Sequence, residues 1–334
     1  MGEFDLIERY FKTPARAMQG ANTDMTGVTL GIGDDCALLQ PAAGMQLAIS
    51  SDMLVEGRHF LSTVDPYKLG HKALAVNLSD LAACGAKPLA FTLALALPLA
   101  DETWLAPFSR GLLALAAQHN CTLIGGDTTK GPLNICITVF GEVPKATALL
   151  RSGAKAGDDI YVSGTVGDAR LALEVFRGNM ELSGEAFTAA RARMETPTPR
   201  VQLGIALRGI ASSAVDVSDG LLGDLSHILR QSGVGAVIDT SIAINLIAIK
   251  SINTPATSQF DTKKQLEYVL AGGDDYELAF TAPSAQRSTV QAAAAASNTP
   301  VTRIGHVQAE PGLRLTDGQG QAVPNHFGSF DHFK

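Results

Sequence analysis

Residues 28–57 read VTLGIGDDCALLQPAAGMQLAISSDMLVEG, and residues 68–84 read KLGHKALAVNLSDLAAC. The first stretch breaks into short runs of strand-forming residues, VTLGI, CALL and QLAISS, punctuated by Gly-Asp-Asp and Pro-Ala-Ala-Gly. The second places Ala73, Val76, Asn77, Asp80 and Cys84 at steps of three and four, which puts them on one helix face. Strands that feed a helix open an α/β succession, and it continues outward. An apolar run at Phe91 to Leu97 is followed by a helix opened by Asp101 and Glu102. Then come CTLIGGDTT and LNICITVFGEV, read as two strands joined by a turn at Gly-Gly-Asp.

The stretch PKATALLRSGAKAGDD, residues 144–159, loses periodicity and gains small residues, so the chain divides into residues 1–150 and 151–334. The second half repeats the alternation. IYVSG leads through Gly164 and Gly167 into a helix ending near Arg177, and AVDVSDG stands at a strand-to-helix junction. A helix ending in LAGGDDYE precedes the strand LAFTAP, and residues 242–260 give no clear pattern. The predicted class is α/β or α+β in two domains.

The 334 residues are 46% hydrophobic and 18% charged, enough for a sizeable core and about two domains. Net charge is −7 with no basic block, which argues against a protein that grips nucleic acid through its phosphates. Four cysteines without a CxxC pair read as small core residues in a reducing cytoplasm. The N-terminus, MGEFDLIERYF, lacks the basic flank of a secretory signal, and Pro98 interrupts the longest apolar run. These features predict a cytoplasmic protein without a membrane span.

No GxxxxGK[ST] loop, GxGxxG, HExxH or GxSxG occurs. Instead, carboxylates recur beside glycine or serine at expected strand ends: Asp34 and Asp35, Asp52, Asp127, Asp216 and Asp219, Asp274 and Asp275. Carboxylates brought to one site repel unless their pKa values rise or cations neutralise them. Oxygen donors without Cys or His suit a hard ion such as Mg²⁺, which is commonly shared with substrate phosphates. Taken singly, each acid has a plainer reading. Asp219 can cap a helix, Asp34 and Asp35 can form a turn, and Asp274 and Asp275 fit a hairpin. Asp80 is harder to set aside, because an acid on an apolar helix face is rarely buried unless paired or bound to metal. Arg151 and Lys155 are either phosphate contacts or solvated linker charges, and Lys72 and Lys130 read as surface lysines. His59, a lone histidine, is more simply structural than catalytic.

In order, GIGDDCALL, AISSD, EGRHF, ALAVNLSDLAACGAKP, LIGGDTT, RSGAKAGD, VDVSDGLLGDL and GGDDYEL closely resemble the thiamine-monophosphate kinases. The likeness runs from GEFDLIERYF to the closing FDHF. That family shares a superfamily with aminoimidazole ribonucleotide synthetase, selenophosphate synthetase and the carbamoyl-dehydrating hydrogenase maturation protein. The resemblance implies a two-domain fold like aminoimidazole ribonucleotide synthetase, with an N-terminal domain that dimerises through its β-sheet and a C-terminal α/β domain. It implies ATP and thiamine monophosphate as substrates, thiamine diphosphate as product, several Mg²⁺ ions and a homodimer.

By the same resemblance, metal ligands fall on Asp35, Ser50, Ser51, Asp52, Asp80, Asp127, Asp216 and Asp219. Nucleotide contacts fall on Gly126, Asp127, Arg151 and Ser218, and thiamine phosphate contacts on His59, Asp274 and Phe330. Catalysis would rest on Asp80, Asp127, Asp219 and Arg151. The chain departs from the family's common Glu at 274 and Tyr at 330. Cys36 lies directly after GIGDD in an expected β segment, which fits badly with the flexible-loop cysteine of selenophosphate synthetase. Three readings of the acids remain: phosphoryl transfer to an acceptor, metal-dependent phosphoester hydrolysis, and non-catalytic binding of a cation or nucleotide.

Overall fold

The computed structural model describes residues 2–21, 27–182, 184–248 and 261–328. It falls into two compact units. One takes in the chain up to Leu81 together with Ala86–Ala146, and the other Ala82–Gly85 together with the chain from Thr147 onward. The expected division at 150 stands a few residues beyond the crossing.

In the first unit, α1 (Glu3–Ile7) and α2 (Thr13–Ala21) are joined by a π-helical turn, Glu8–Lys12. Then come β1 (Val28–Leu30), β2 (Leu38–Leu39), β3 (Met45–Val55), α3 (Pro66–Ala83), β4 (Lys87–Leu97), α4 (Glu102–Gln118), β5 (Thr122–Lys130) and β6 (Asn134–Pro144). Among the described residues the larger sheet has the order β3-β6-β4-β5, with β4 and β5 parallel across α4 and the other pairs antiparallel. Helix α3 starts at Pro66, whose missing N–H costs nothing in a first turn, and the Lys68 amide donates to Asp65 Oδ1 at 3.2 Å. Helix α4 starts where Asp101 accepts from the Thr103 amide at 2.8 Å.

The two long helices touch through glycine. A Cβ on Gly70 would lie 2.1 Å from the Phe108 carbonyl, and one on Gly111 would lie 1.9 Å from the Tyr67 carbonyl. Leu69, Leu74, Leu78, Leu105, Phe108 and Leu112 are all fully buried. Lys72, expected at the surface, is buried with them.

Strand β3 alternates from Leu47 to Leu54. Ala48, Ser50, Asp52 and Leu54 share one face, while Leu47, Ile49, Ser51 and Met53 share the other and are exposed. Two expectations fail here. Asp52 is followed by three further strand residues, and GGDTT lies inside β5, with the connection to β6 coming after Lys130. Turn residues are accommodated in β5 because the register to β4 shifts between Phe91 and Thr92, and Gly126 adopts φ +145°. A Cβ there would meet the Leu93 carbonyl at 1.8 Å.

The second unit contains β7 (Asp158–Ser163), α5 (Asp168–Phe176), α6 (Gly184–Glu195), α7 (Val201–Ala206), β8 (Ser213–Asp216), α8 (Leu221–Ser232), β9 (Gly235–Asp239) and α9 (Thr240–Ala243). It continues with α10 (Thr262–Ala271), β10 (Leu278–Pro283), α11 (Arg287–Ala296), β11 (Val301–Gln308), β12 (Gly312–Thr316) and β13 (Ala322–Val323). Its sheet has the order β13-β12-β9-β11-β7-β10-β8, and among these pairs only β9 with β12 is parallel. Helix α8 buries Leu221, Leu222, Leu225, Ile228 and Leu229, a stripe at helical spacing, in a core that includes Ile160, Val162, Ile238 and Ile304.

Helix α6 was not expected from the sequence, because its buried side chains are mostly the small Ala186 and Ala190 and its apolar signal is weak. Of the plainer readings open for Asp274 and Asp275, the hairpin turn does not form. Helix α10 stops at Gly272, and residues 272–277 form an irregular loop with Asp274 and Tyr276 at positive φ. Residues 249–260 and Phe330 lie outside the described residues. Cys121 is buried, and burial pushes its thiol well up, while Cys84 and Cys136 are half-buried. Cys36 is exposed and precedes β2 instead of lying within it.

Candidate functional site

In the first unit three of the expected residues, Ser50, Asp52 and Asp80, meet where β3 passes α3. Ser50 Oγ donates to Asp80 Oδ2, so the half-buried acid on the helix face is held against the strand. Three residues earlier on the helix, fully buried Asn77 accepts the Asp52 amide at 3.1 Å and donates to the Ala73 carbonyl at 3.0 Å. Its two bonds fix Asp52 relative to Asp80. Ser51 turns to the other face, with its hydroxyl 3.0 Å from Thr138 Oγ1 and 3.7 Å from Cys136 Sγ.

Asp127 stands apart from Asp52 in the same copy. Strands β3 and β5 are opposite edges of the sheet, three strand spacings or about 14 Å apart. Asp127 pairs with Ala94, which pairs with Cys136 and through it with Met53, whereas Asp52 shares its row with Ile137 and Leu93. The two carboxylates therefore belong to opposite faces. Asp35 is exposed on the loop after β1, where its amide donates to Asp34 Oδ1 at 3.0 Å in a local turn. His59 Nδ1 accepts the Val55 amide at 3.0 Å, so a neutral ring carries its proton on Nε2.

In the second unit two loops interlock. The Asp274 amide donates to the Ser218 carbonyl at 2.8 Å, the Tyr276 amide to the Val217 carbonyl at 2.9 Å, and the Val217 amide to the Glu277 carbonyl at 2.7 Å. Gly273 must be glycine at this crossing, because a Cβ would stand 2.4 Å from the Ser218 carbonyl. Asp216 at the end of β8, Ser218, Asp219 and Asp274 are thus brought together, with Asp216 buried and the other three half-buried.

Asp219 does not cap α8. The Ser218, Asp219 and Gly220 amides all donate to Asp224 Oδ2, at 3.0, 3.0 and 3.1 Å. Burial pushes the Asp224 carboxyl up to about 7, Asp219's charge adds to the rise, and the three amides oppose it. Asp275 is fully buried and accepts the Gly167 amide with both oxygens, at 3.0 and 2.9 Å. Burial raises its pKa well above the ordinary carboxylate value. Glu277, also fully buried, accepts from Ser163 Oγ at 2.5 Å, Arg193 Nη2 at 2.6 Å and Arg200 Nε at 2.6 Å. Of the two adjacent acids in GGDDYE, the half-buried Asp274 is therefore the candidate for a ligand and Asp275 is structural.

Arg151 is exposed. Its carbonyl accepts from Ser232 Oγ at 3.3 Å, and the Gly153 and Ala154 amides donate to the same hydroxyl. Burial, then the charges of Arg151 and Arg230, lower the pKa of His227 on α8, while Asp219 raises it, so these groups share one field. Asn77, Asp224, Asp275 and Glu277 were missed as supports from sequence. Asn77 carried a signal, a polar residue on an apolar helix stripe. The others are buried acids that composition and spacing do not separate from surface ones.

Among the described residues, no three His, Cys, Asp or Glu side chains of one copy are grouped to hold a metal. The donor chemistry of the eight expected ligands, carboxylate and hydroxyl oxygens only, nevertheless fits a hard divalent ion.

Comparison with known proteins covers nearly the whole chain. Residues 33–143 match the AIR synthase related protein N-terminal domain, and residues 155–318 match the corresponding C-terminal domain. Thiamine-monophosphate kinase of Salmonella typhimurium is 44% identical, covering 99% of this chain and 98% of the relative. The crystal structure of thiamine-monophosphate kinase from Stenotrophomonas maltophilia is 43% identical with TM-score 0.83, over 95% of this chain and 98% of that one. The complex of AaThiL with AMPPCP and TMP is 30% identical with TM-score 0.74, over 90% and 92%.

Proposed function

The chain belongs to the thiamine-monophosphate kinase family, built from the two AIR synthase related domains, and we propose that it transfers the terminal phosphoryl group of ATP to thiamine monophosphate, giving ADP and thiamine diphosphate. Full-length similarity at 44% identity carries this reading. The AaThiL complex, which pairs an ATP analogue with TMP, supports both substrates.

The acceptor explains why no base is needed. A phosphate monoester has its second pKa near ~6, so at neutral pH it presents an ionised oxygen, and positioning with charge neutralisation carries the rate. His59, whose Nδ1 is engaged by backbone, then serves to orient the acceptor and takes no proton from it. Transfer is direct and in line, without a phosphoenzyme. The backbone of the Ser218–Gly220 loop supplies little to the phosphates, since Asp224 already takes its three amides. Charge must be met by cations. Arg151 is one, and Asp35, Ser50, Ser51, Asp52, Asp80, Asp127, Asp216 and Asp219 would hold Mg²⁺. Bound there, Mg²⁺ would offset the repulsion between two anionic substrates. Gly126, Asp127, Arg151 and Ser218 contact nucleotide, and His59, Asp274 and Phe330 contact thiamine phosphate.

A homodimer completes this picture. Leu47, Ile49 and Met53 expose an apolar row on β3, an edge strand, at 39%, 60% and 53% of full exposure, and a second copy is its occupant. Among the described residues no helix is long and apolar enough to cross a membrane.

ADP release measured with Mg²⁺, ATP and thiamine monophosphate, beside the same mixture without the vitamin, tests the proposal. Acceptor-dependent ADP is the expected result. Equal phosphate release without acceptor would instead mean a phosphohydrolase, and ATP binding without turnover a binding protein. A labelled phosphoenzyme trapped without acceptor would overturn direct transfer.

A further inference from the structure

The loop Ser218-Asp219-Gly220 must hold a half-buried acid at the head of α8 against a neighbour loop of the same irregular kind. Gly220 adopts φ +118°, and no strand ladder includes these residues. Asp224 lies one turn into α8 and is almost fully buried. A carboxylate at this depth is costly unless its lone pairs are matched, and here one oxygen takes three consecutive amides. Those amides precede the helix, so the bonds serve the loop more than the helix end.

We infer that Asp224 is a positioning residue for the nucleotide and metal site: by gathering the Ser218, Asp219 and Gly220 amides onto one oxygen, it sets the direction in which Ser218 and Asp219 present their side chains. The inference rests on the kinase reading only for what the loop binds. Asp224 itself touches neither substrate nor ion. Removing the carboxylate frees three backbone dipoles, which lets the loop wander and leaves amides that would compete for phosphate oxygens.

Asp224→Ala and Asp224→Asn, the second keeping one acceptor oxygen and the volume, are to be compared with wild type. Native-state hydrogen exchange should show the Ser218, Asp219 and Gly220 amides exchanging at least ~10-fold faster in the alanine variant, with the asparagine variant between. In the kinase assay the Mg²⁺ concentration for half-maximal rate should rise ~10- to 100-fold for Asp224→Ala, with partial rescue in Asp224→Asn. A purely structural role would lower only the active fraction and leave the half-saturating Mg²⁺ unchanged. That result, unchanged exchange at the three amides, or failure of both variants to fold would overturn the inference. Wild-type protein without acceptor-dependent ADP would defeat the kinase reading instead, and the exchange experiment would still decide Asp224.

Discussion

The two units hold their acids by different means. In the first, Asp52 and Asp127 project from regular strands and Asp80 from an 18-residue helix, so ladders and helix geometry fix the backbone, and one neutral amide, Asn77, ties strand to helix. In the second, Asp219 and Asp274 stand on loops without ladders of their own, and the support comes from buried carboxylates: Asp224 for one loop, and Asp275 with Glu277 for the other. A carboxylate on a regular element inherits its position from the fold. One on a loop needs further buried polar groups to hold the backbone, and these cost desolvation unless every partner is present.

Asp80→Asn separates chemistry from support in the first unit. Turnover should fall about 10³-fold, as when one electrostatic stabiliser of a transition state is removed, while the thermal midpoint barely moves. Wild-type kcat in that variant would take Asp80 out of the site. Glu277→Gln probes the ionic support of the second unit, since it leaves Arg193 and Arg200 without their shared charge. Unfolding in urea should show a loss of about 3 kcal/mol. A loss under about 1 kcal/mol would mean that the ionic cluster contributes no more than an exposed pair.

The neutral support should cost less. Asn77→Ala removes the acceptor of the Asp52 amide and is expected to lower stability by about 2 kcal/mol. A cost above that of Glu277→Gln would reverse the contrast.

The smallest effect belongs to Asp159, near the start of β7, which is bonded to Arg287 and Arg303. Asp159 accepts from Arg287 at 2.5 and 2.8 Å, and this hydrogen bonding holds its carboxyl below the ordinary value. A carboxyl with a depressed folded pKa adds stability that is present above its unfolded pKa, near ~4, and lost as pH falls through the folded value. The wild type should therefore exceed Asp159→Asn by about 1 kcal/mol or less at pH 7, with the gap closing below pH ~4 in melts at graded pH. A gap that widened on acidification would contradict the sign.

Much of the fold was legible because its signals are local. The 3.6-residue stripe of α3, the Asp101 cap of α4 and the Gly-rich junction before α8 follow from neighbours a few residues apart. What misled were residues whose usual preference is overridden by tertiary contacts. Gly-Gly-Asp reads as a turn, yet pairing with β4 draws it into a strand, and Asp274-Asp275 is compatible with a hairpin turn, yet bonds to Gly167 and Ser218 hold that loop in an irregular course. The acids of the candidate site were visible as types and spacings. Their sorting into ligand and support was not, because burial depends on chain segments distant in sequence. Asp274 and Asp275 are neighbours with opposite surroundings.

By itself the sequence determined the alternation of strands and helices, the family and the oxygen-rich chemistry, all of which are written in residue type and short-range order. Only the tertiary structure decided which face of β3 carries Asp52, that β3 and β5 are opposite edges, and that Asp224 rather than Asp219 gathers the loop amides. The physical reason is that desolvation and hydrogen-bond geometry are properties of packed neighbours, and packing joins residues that the linear chain keeps far apart.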